Sequence, residues 1–214
     1  MYKSVKLSEG CVSPVTELQS KHEEADNRLL LHSVYATQVE GVKRIVIYAN
    51  DTDVVVMAVY YYKTKLQELG LEELWMKTQQ DSYLPIHQIA TALDADLCRA
   101  LPLIHSLSGR DITSYPFFTG KTTWLQRSKT VPLDHLANFA EADGNYSLTG
   151  DVIDQARQLF IAVYSTSYEI SRFVSLAELR AHKFLNRNTT DLKRLPPIED
   201  VFLLLAGLIY YVNN

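Results

Sequence analysis

The stretch Arg44-Ile45-Val46-Ile47-Tyr48-Ala49-Asn50-Asp51-Thr52-Asp53 decides how the chain is read. Its first six residues are almost continuously apolar and rich in β-branched side chains, the pattern of a strand buried on both faces of a parallel sheet. Its last four are polar and carry two carboxylates just past the strand end. Ligands of open α/β sheets bind outside the carboxyl ends of the strands, so Asp51 and Asp53, two residues apart, are placed to send both side chains toward one pocket. The sequence therefore predicts an α/β protein with an acidic site at this edge.

Upstream, residues 23–39 read as a helix. Leu29, Leu30, Leu31, Val34 and Tyr35 form its apolar face, acidic residues sit in its first turn, and Gly41 ends it. Downstream, residues 54–62 fit helix or strand, and the Thr52-Asp53 start favours helix. Residues 73–77 and 83–86 read as two short strands around a polar turn at 79–82. Helices dominate from His87 onward, over 87–93, 94–107 with Pro102 inside it, 133–142, 152–164 and 175–185, with Asp94 and Ser175 as N-caps. The organisation expected is an irregular lead-in at 1–20, an α/β core at 21–115, a helical region at 116–200 and an apolar C-terminal segment at 201–214.

Bulk properties narrow the function classes. With 214 residues, 47% hydrophobic and 21% charged, the chain has the composition of a globular protein able to bury a core. A net charge of -4 gives no global basic field, so contact with DNA or RNA needs a local patch of Lys and Arg. Cys11 and Cys98 form neither a disulfide framework nor a zinc spacing, which makes an intracellular location, nuclear or cytoplasmic, the expectation. Met1 to Gly10 lacks the apolar core of a signal peptide. The most apolar run, Val201 to Val212, falls short of the roughly 18 residues a membrane span needs, so it reads as a core helix or as an effect of the C-terminal end, and no membrane partner is expected.

Asp51-Thr52-Asp53 is one of three acidic blocks. The others are His22-Glu23-Glu24-Ala25-Asp26 at the start of the first helix and Ser108-Gly109-Arg110-Asp111 after the fourth. A two-metal phosphodiesterase site needs several hard oxygen ligands, because Mg²⁺ and Mn²⁺ prefer carboxylates and water and one carboxylate cannot hold two ions about 4 Å apart. Each block also has a plainer role: Glu23, Glu24 and Asp26 as partners of a helix dipole, Asp51-Thr52-Asp53 as a turn and cap, Asp111 as a cap. Order and spacing, more than any one block, carry the specificity.

That order resembles the PIN-like nuclease superfamily, in its flap-endonuclease-type branch. Glu24-Ala25-Asp26 is similar to that branch's acidic helix start, Asp51-Thr52-Asp53 to its Asp-x-Asp after a strand, and Gly109-Arg110-Asp111 to its Gly-x-Asp before a helical hairpin. The nearest likeness is to a group of animal proteins linked to mobile elements, whose pattern reads HEEADTR, DTDV and GCDTTS; it covers residues 20 to 185. The resemblance implies a PIN-like three-layer fold with a mostly parallel sheet and a helical C-terminal region. It also implies a metal-dependent phosphodiesterase using Mg²⁺ or Mn²⁺, with Glu24, Asp26, Asp51, Asp53 and Asp111 as metal ligands and Asp51, Asp53 and Asp111 as the catalytic acids.

The sequence departs from the family pattern in three ways. The family's first strand, ending in a metal-binding Asp, would fall upstream of Met1, so the chain reads as an N-terminally truncated member, short of one ligand and with an apolar sheet edge left open. Arg110 stands where the group has Cys. The Gly-rich segment after the third acid is reduced to Gly120-Lys121, and Gly120-Lys121-Thr122 is no P-loop, since the upstream Gly is missing. Arg110, Lys121, Arg127 and Lys129, with Trp124 among them, make the best local nucleic-acid patch, by phosphate neutralisation and base stacking; a solvated helix face explains the same pattern. The alternative to a nuclease is a degenerate domain that only binds a protein or nucleic acid. His22, His32, His87, His105, His135 and His182 show no metal spacing, and no nucleophile elbow supports a Ser-His-Asp triad.

Overall fold

The computed structural model describes residues 2–8, 10–20, 25–109, 119–139, 149–166, 168–187 and 192–212. They divide into two compact units, residues 1–94 and 95–214, so the division falls at the start of the Pro102 helix instead of at 115/116.

The first unit opens with a hairpin, β1 (Tyr2–Ser8) and β2 (Cys11–Ser20), paired antiparallel with Ser8 opposite Cys11. This replaces the irregular lead-in expected at 1–20. Gly10 turns the chain at a φ of 82°, a conformation that costs glycine nothing. Helix α1 (Ala25–Gln38) follows and packs on β2. It stops where Gly41 takes a φ of 66° and Val42 N–H donates to Ala36 O at 3.1 Å.

The deciding stretch forms strand β3 (Arg44–Tyr48) and then helix α2 (Thr52–Tyr61). A π-helical turn (Tyr62–Leu66) leads to β4 (Glu73–Lys77), a tight turn and β5 (Tyr83–Pro85). Helix α3 (Ile86–Ala92) closes the unit and packs on β4.

Here the fold departs from the PIN-like three-layer expectation. The sheet has three strands in the order β3-β4-β5, with one parallel pair, β3 with β4, and one antiparallel pair, β4 with β5. Among the described residues the architecture is mixed α/β and helix-rich, without a large, mostly parallel sheet. Two physical reasons stand out. Only Thr78 to Ser82 separate β4 from β5, closed by Thr78 N–H to Ser82 O at 2.9 Å, too short for the crossover a parallel return requires. And β3 is not buried on both faces: Ile47 is 4% exposed, but Val46 is 53% and Tyr48 61% exposed. A short apolar run looks the same whether one face is covered or two. On β4 the same alternation appears, with Leu74 and Met76 buried and Glu73, Trp75 and Lys77 half-buried.

The second unit is helical among its described residues. It comprises α4 (Ala95–Leu107), which accommodates Pro102, α5 (Lys121–Ser128), α6 (Asp134–Asn138), α7 (Gly150–Tyr164), α8 (Leu176–Arg187), a short 3₁₀ turn (Leu192–Arg194) and α9 (Glu199–Val212). Trp124, Phe160 and Phe202 stack edge-to-face in series, at centroid distances of 4.9 and 5.2 Å, joining α5, α7 and α9 through fully buried rings. Arg157 of α7 donates to Glu199 of α9 at 2.7 Å and lies 5.4 Å from the Phe202 ring centroid, so the C-terminal helix is fastened at its first turn. No helix of the described residues is long and apolar enough to cross a membrane.

Candidate functional site

The carboxyl end of β3 carries the acidic pair as the sequence predicts, and the local geometry gives each Asp a position. Ala49 N–H continues the parallel ladder by donating to Lys77 O at 3.1 Å. Asn50 then turns its side chain across the loop, its Oδ1 accepting Gln79 N–H at 2.7 Å, which ties the β3 end to the β4–β5 turn. Asp51 is extended (φ -82°, ψ 136°) and is the N-cap of α2, its Oδ1 accepting Asp53 N–H at 2.9 Å. Asp53 lies in the first turn of that helix, where a carboxylate complements the positive end of the dipole. Both plain roles weighed from the sequence are therefore filled. They leave the chemistry open, since a carboxylate offers two oxygens and about four lone-pair positions, of which a cap uses one.

Of the other predicted ligands, Glu24 and Asp111 lie outside the described residues, as does Arg110. Asp26 is the second residue of α1 by its backbone, and its side chain is outside the described part. Among the described residues, no group of three or more His, Cys, Asp or Glu side chains could hold a metal ion. Asp51 and Asp53 are carboxylates, the donor type that hard divalent cations take, and both lie at the sheet edge.

No family model, curated protein or solved structure matches this chain.

The basic patch is rearranged by α5. Trp124 is fully buried, its indole against Phe160 and its Nε1–H donating to Thr119 Oγ1 at 3.2 Å. It offers no face to a base. At about 100° per residue, Lys121 and Arg127 lie about 60° to either side of Trp124 around the helix, so they diverge from the buried stripe instead of flanking a platform. Lys121 Nζ sits 3.4 Å from Nε2 of the buried His105. Lys129 is exposed at the C-cap of α5.

A polar cluster in the second unit escaped the sequence reading. Glu169 Oε2 accepts both Thr166 N–H (2.9 Å) and Thr166 Oγ1–H (2.8 Å), and its other oxygen lies 3.3 Å from His182 Nε2. Lys183, 4% exposed, approaches Glu169 Oε2 at 3.9 Å. The Thr166 hydrogen bonds, backbone first, hold the Glu169 carboxyl well below its ordinary value, at about 2, with Lys183 and His182 adding to the effect. The available signal was Thr166-x-x-Glu169, the spacing of a capping box. Its geometry is that of a closed turn, with each charge occupied by the chain itself.

Proposed function

We propose that the β3 carboxyl edge belongs to a divalent-metal site for phosphodiester hydrolysis, with Asp51 and Asp53 as its described ligands. The observation that carries this reading is the position of the pair at the carboxyl end of a parallel strand pair, with Asp51 exposed. Glu24, Asp26 and Asp111 are proposed to complete the set, on the strength of the sequence pattern. Bound Mg²⁺ or Mn²⁺ supplies charge neutralisation at the scissile phosphate and a water of lowered pKa. The contribution of the chain is to hold the acids: the Asn50–Gln79 bond fixes the loop, and the Asp51 cap fixes the start of α2. DNA and RNA both present the required phosphodiester.

Calorimetric titration of the chain with Mn²⁺ tests this, using Asp51→Asn as the comparison. Asn caps a helix about as well as Asp, so the variant keeps α2 while losing a charged ligand. Binding by the wild type that Asp51→Asn and Asp53→Asn weaken supports the site and leads to cleavage assays on branched and single-stranded substrates. No binding by a folded wild type removes it.

A second reading is a domain that binds a partner without catalysis. It is favoured by the engagement of Asp51 as a helix cap and by the burial of Trp124, which together assign to folding two residues expected to act on a substrate.

A further inference from the structure

The outer edge of β3 has no strand partner among the described residues. Its ladder bonds settle which backbone groups face outward. Ala49 N–H donates to Lys77 O, and Lys43 O accepts Glu73 N–H at 3.0 Å, so odd-numbered residues serve β4. By the two-residue period, the N–H and C=O groups of Arg44, Val46 and Tyr48 point away from the sheet. Among the described residues no strand pairs on that side. The same three residues carry exposed side chains: Val46 and Tyr48 are more than half exposed, and the Arg44 side chain is 69% exposed. Edge strands are usually blunted by Pro, charged side chains, a bulge or a covering element; the one charge on β3, Arg44, stands at its first residue and is paired with Glu73. Arg44–Tyr48 contains no Pro, Gly or Lys and pairs with β4 without a register shift.

We propose that β3 is a dimerisation strand, pairing antiparallel with β3 of a second copy about a two-fold axis through Val46. The edge is complementary to itself in that arrangement. Val46 stands opposite Val46, Arg44 opposite Tyr48 and Tyr48 opposite Arg44, and every one of these is an outward-facing residue. Three hydrogen-bonded pairs exchanging two bonds each give about six backbone hydrogen bonds. A two-fold makes the two halves of the interface identical.

Charge selects the same geometry. Parallel pairing in register would set Arg44 against Arg44, whereas the antiparallel register lays each guanidinium against a tyrosine ring, a favourable cross-strand pair. Arg44 is already steadied by Glu73 Oε1 at 2.7 Å, which is itself beside Trp75 Nε1 at 2.8 Å from Glu73 Oε2. This ion pair lies on the exposed sheet face that Arg44 shares with Val46 and Tyr48. The two three-stranded sheets become one six-stranded sheet with β3 and its copy at the centre. A contact built from five-residue strands falls in the small-interface class, below about 1,200 Å² of buried surface, which makes the dimer reversible and concentration-dependent.

The test is sedimentation velocity on the full 214-residue chain over a wide concentration series, with Val46→Lys, Val46→Glu and their equimolar mixture. The wild type is expected to shift from monomer to dimer with concentration. Each charged variant alone is expected to stay monomeric, because the two-fold sets like charges directly opposite, and the mixture is expected to regain the dimer as a Lys–Glu heterodimer. Val46→Pro provides a second variant: it removes an outward-facing N–H while leaving the β4 ladder intact, and it is expected to be monomeric with an unchanged circular dichroism spectrum. A wild type that stays monomeric throughout, a dimer that persists in Val46→Lys, or a mixture that fails to associate would each overturn the proposal. A chain that stays monomeric and instead takes up a strand of another protein would overturn it as well.

Discussion

The carboxylate of Asp51 accepts the backbone N–H of Asp53 at 2.9 Å, so the residue proposed above as a metal ligand is also the one that starts α2. Stability and metal binding can therefore be separated by the choice of substitution. Asp51→Ala is expected to destabilise the chain by about 1 kcal/mol through loss of the cap, and Asp51→Asn by only a few tenths. Urea unfolding of the two variants checks this, and an equal loss in both would show that the charge matters more than the cap.

Gln155 bridges two helices from inside the second unit. Its Oε1 accepts Leu136 N–H at 2.8 Å and its Nε2 donates to Asp134 Oδ1 at 2.8 Å, with the side chain only 4% exposed. The start of α6 thus depends on a residue of α7 for one of its unpaired N–H groups. Gln155→Leu keeps the volume but strands that N–H, at an expected cost of about 1–3 kcal/mol. A thermal melt in which Gln155→Leu matches the wild type would contradict this.

Trp124 is the end of the aromatic series through Phe160 to Phe202. Trp124→Ala is expected to cost about 3–5 kcal/mol, as large-to-small changes in a packed core do. Trp124→Phe should recover most of that. If the residue instead stacked on a nucleic-acid base, the alanine variant would keep its stability and lose affinity for single-stranded DNA, an outcome that equilibrium unfolding and a fluorescence titration together would reveal.

Two groups give the second unit opposite pH limits. Glu169 has its carboxyl lowered from 4.5 to about 2 by the Thr166 hydrogen bonds, so the folded form binds that proton less tightly than the unfolded chain. Its stabilisation is complete above pH 4.5 and is lost as pH falls toward 2. Burial raises the Tyr164 phenol from 10.0 to about 12, so the folded form holds that proton longer, and stability declines as pH rises from 10 toward 12. Chemical denaturation across both ranges is expected to show the acid loss reduced in Glu169→Gln and the alkaline loss reduced in Tyr164→Phe. Unchanged profiles in these variants would assign the losses to other groups.

The parts of the fold legible in the sequence were those with a local cause. Glu73–Lys77, an apolar run between charged ends, reads as the strand it is; the Thr52-Asp53 start favours helix over 54–62, and the helix is found at Thr52–Tyr61; Gly41 marks the turn after α1. What stayed hidden depended on neighbours distant in sequence. Nothing in Arg44–Tyr48 itself shows that one face of β3 lacks a covering layer. The hairpin at Tyr2–Ser20 was obscured because Glu9-Gly10 is not one of the strongest turn pairs and because Pro14 argues against a strand. Pro14 is accommodated because a two-stranded sheet leaves each strand an open side. The acidic pair was legible as a position, and its cap was among the roles foreseen. Trp124 was misleading because an indole between basic residues reads identically whether it faces solvent or Phe160.

The π-helical turn between α2 and β4 changes the hydrogen-bond period of the segment that leads into the sheet. Gln67 N–H reaches back to Tyr62 O at 3.0 Å, five residues instead of four, which is how a helix absorbs one extra residue without losing its path. Tyr62 and Leu66, at its two ends, are both buried, and the Tyr62 hydroxyl reaches Glu72 O at 3.2 Å. Removing one residue from 62–66 would return this turn to the four-residue spacing, and the change of phase would have to be absorbed before Leu74 and Met76, whose burial fixes the face of β4.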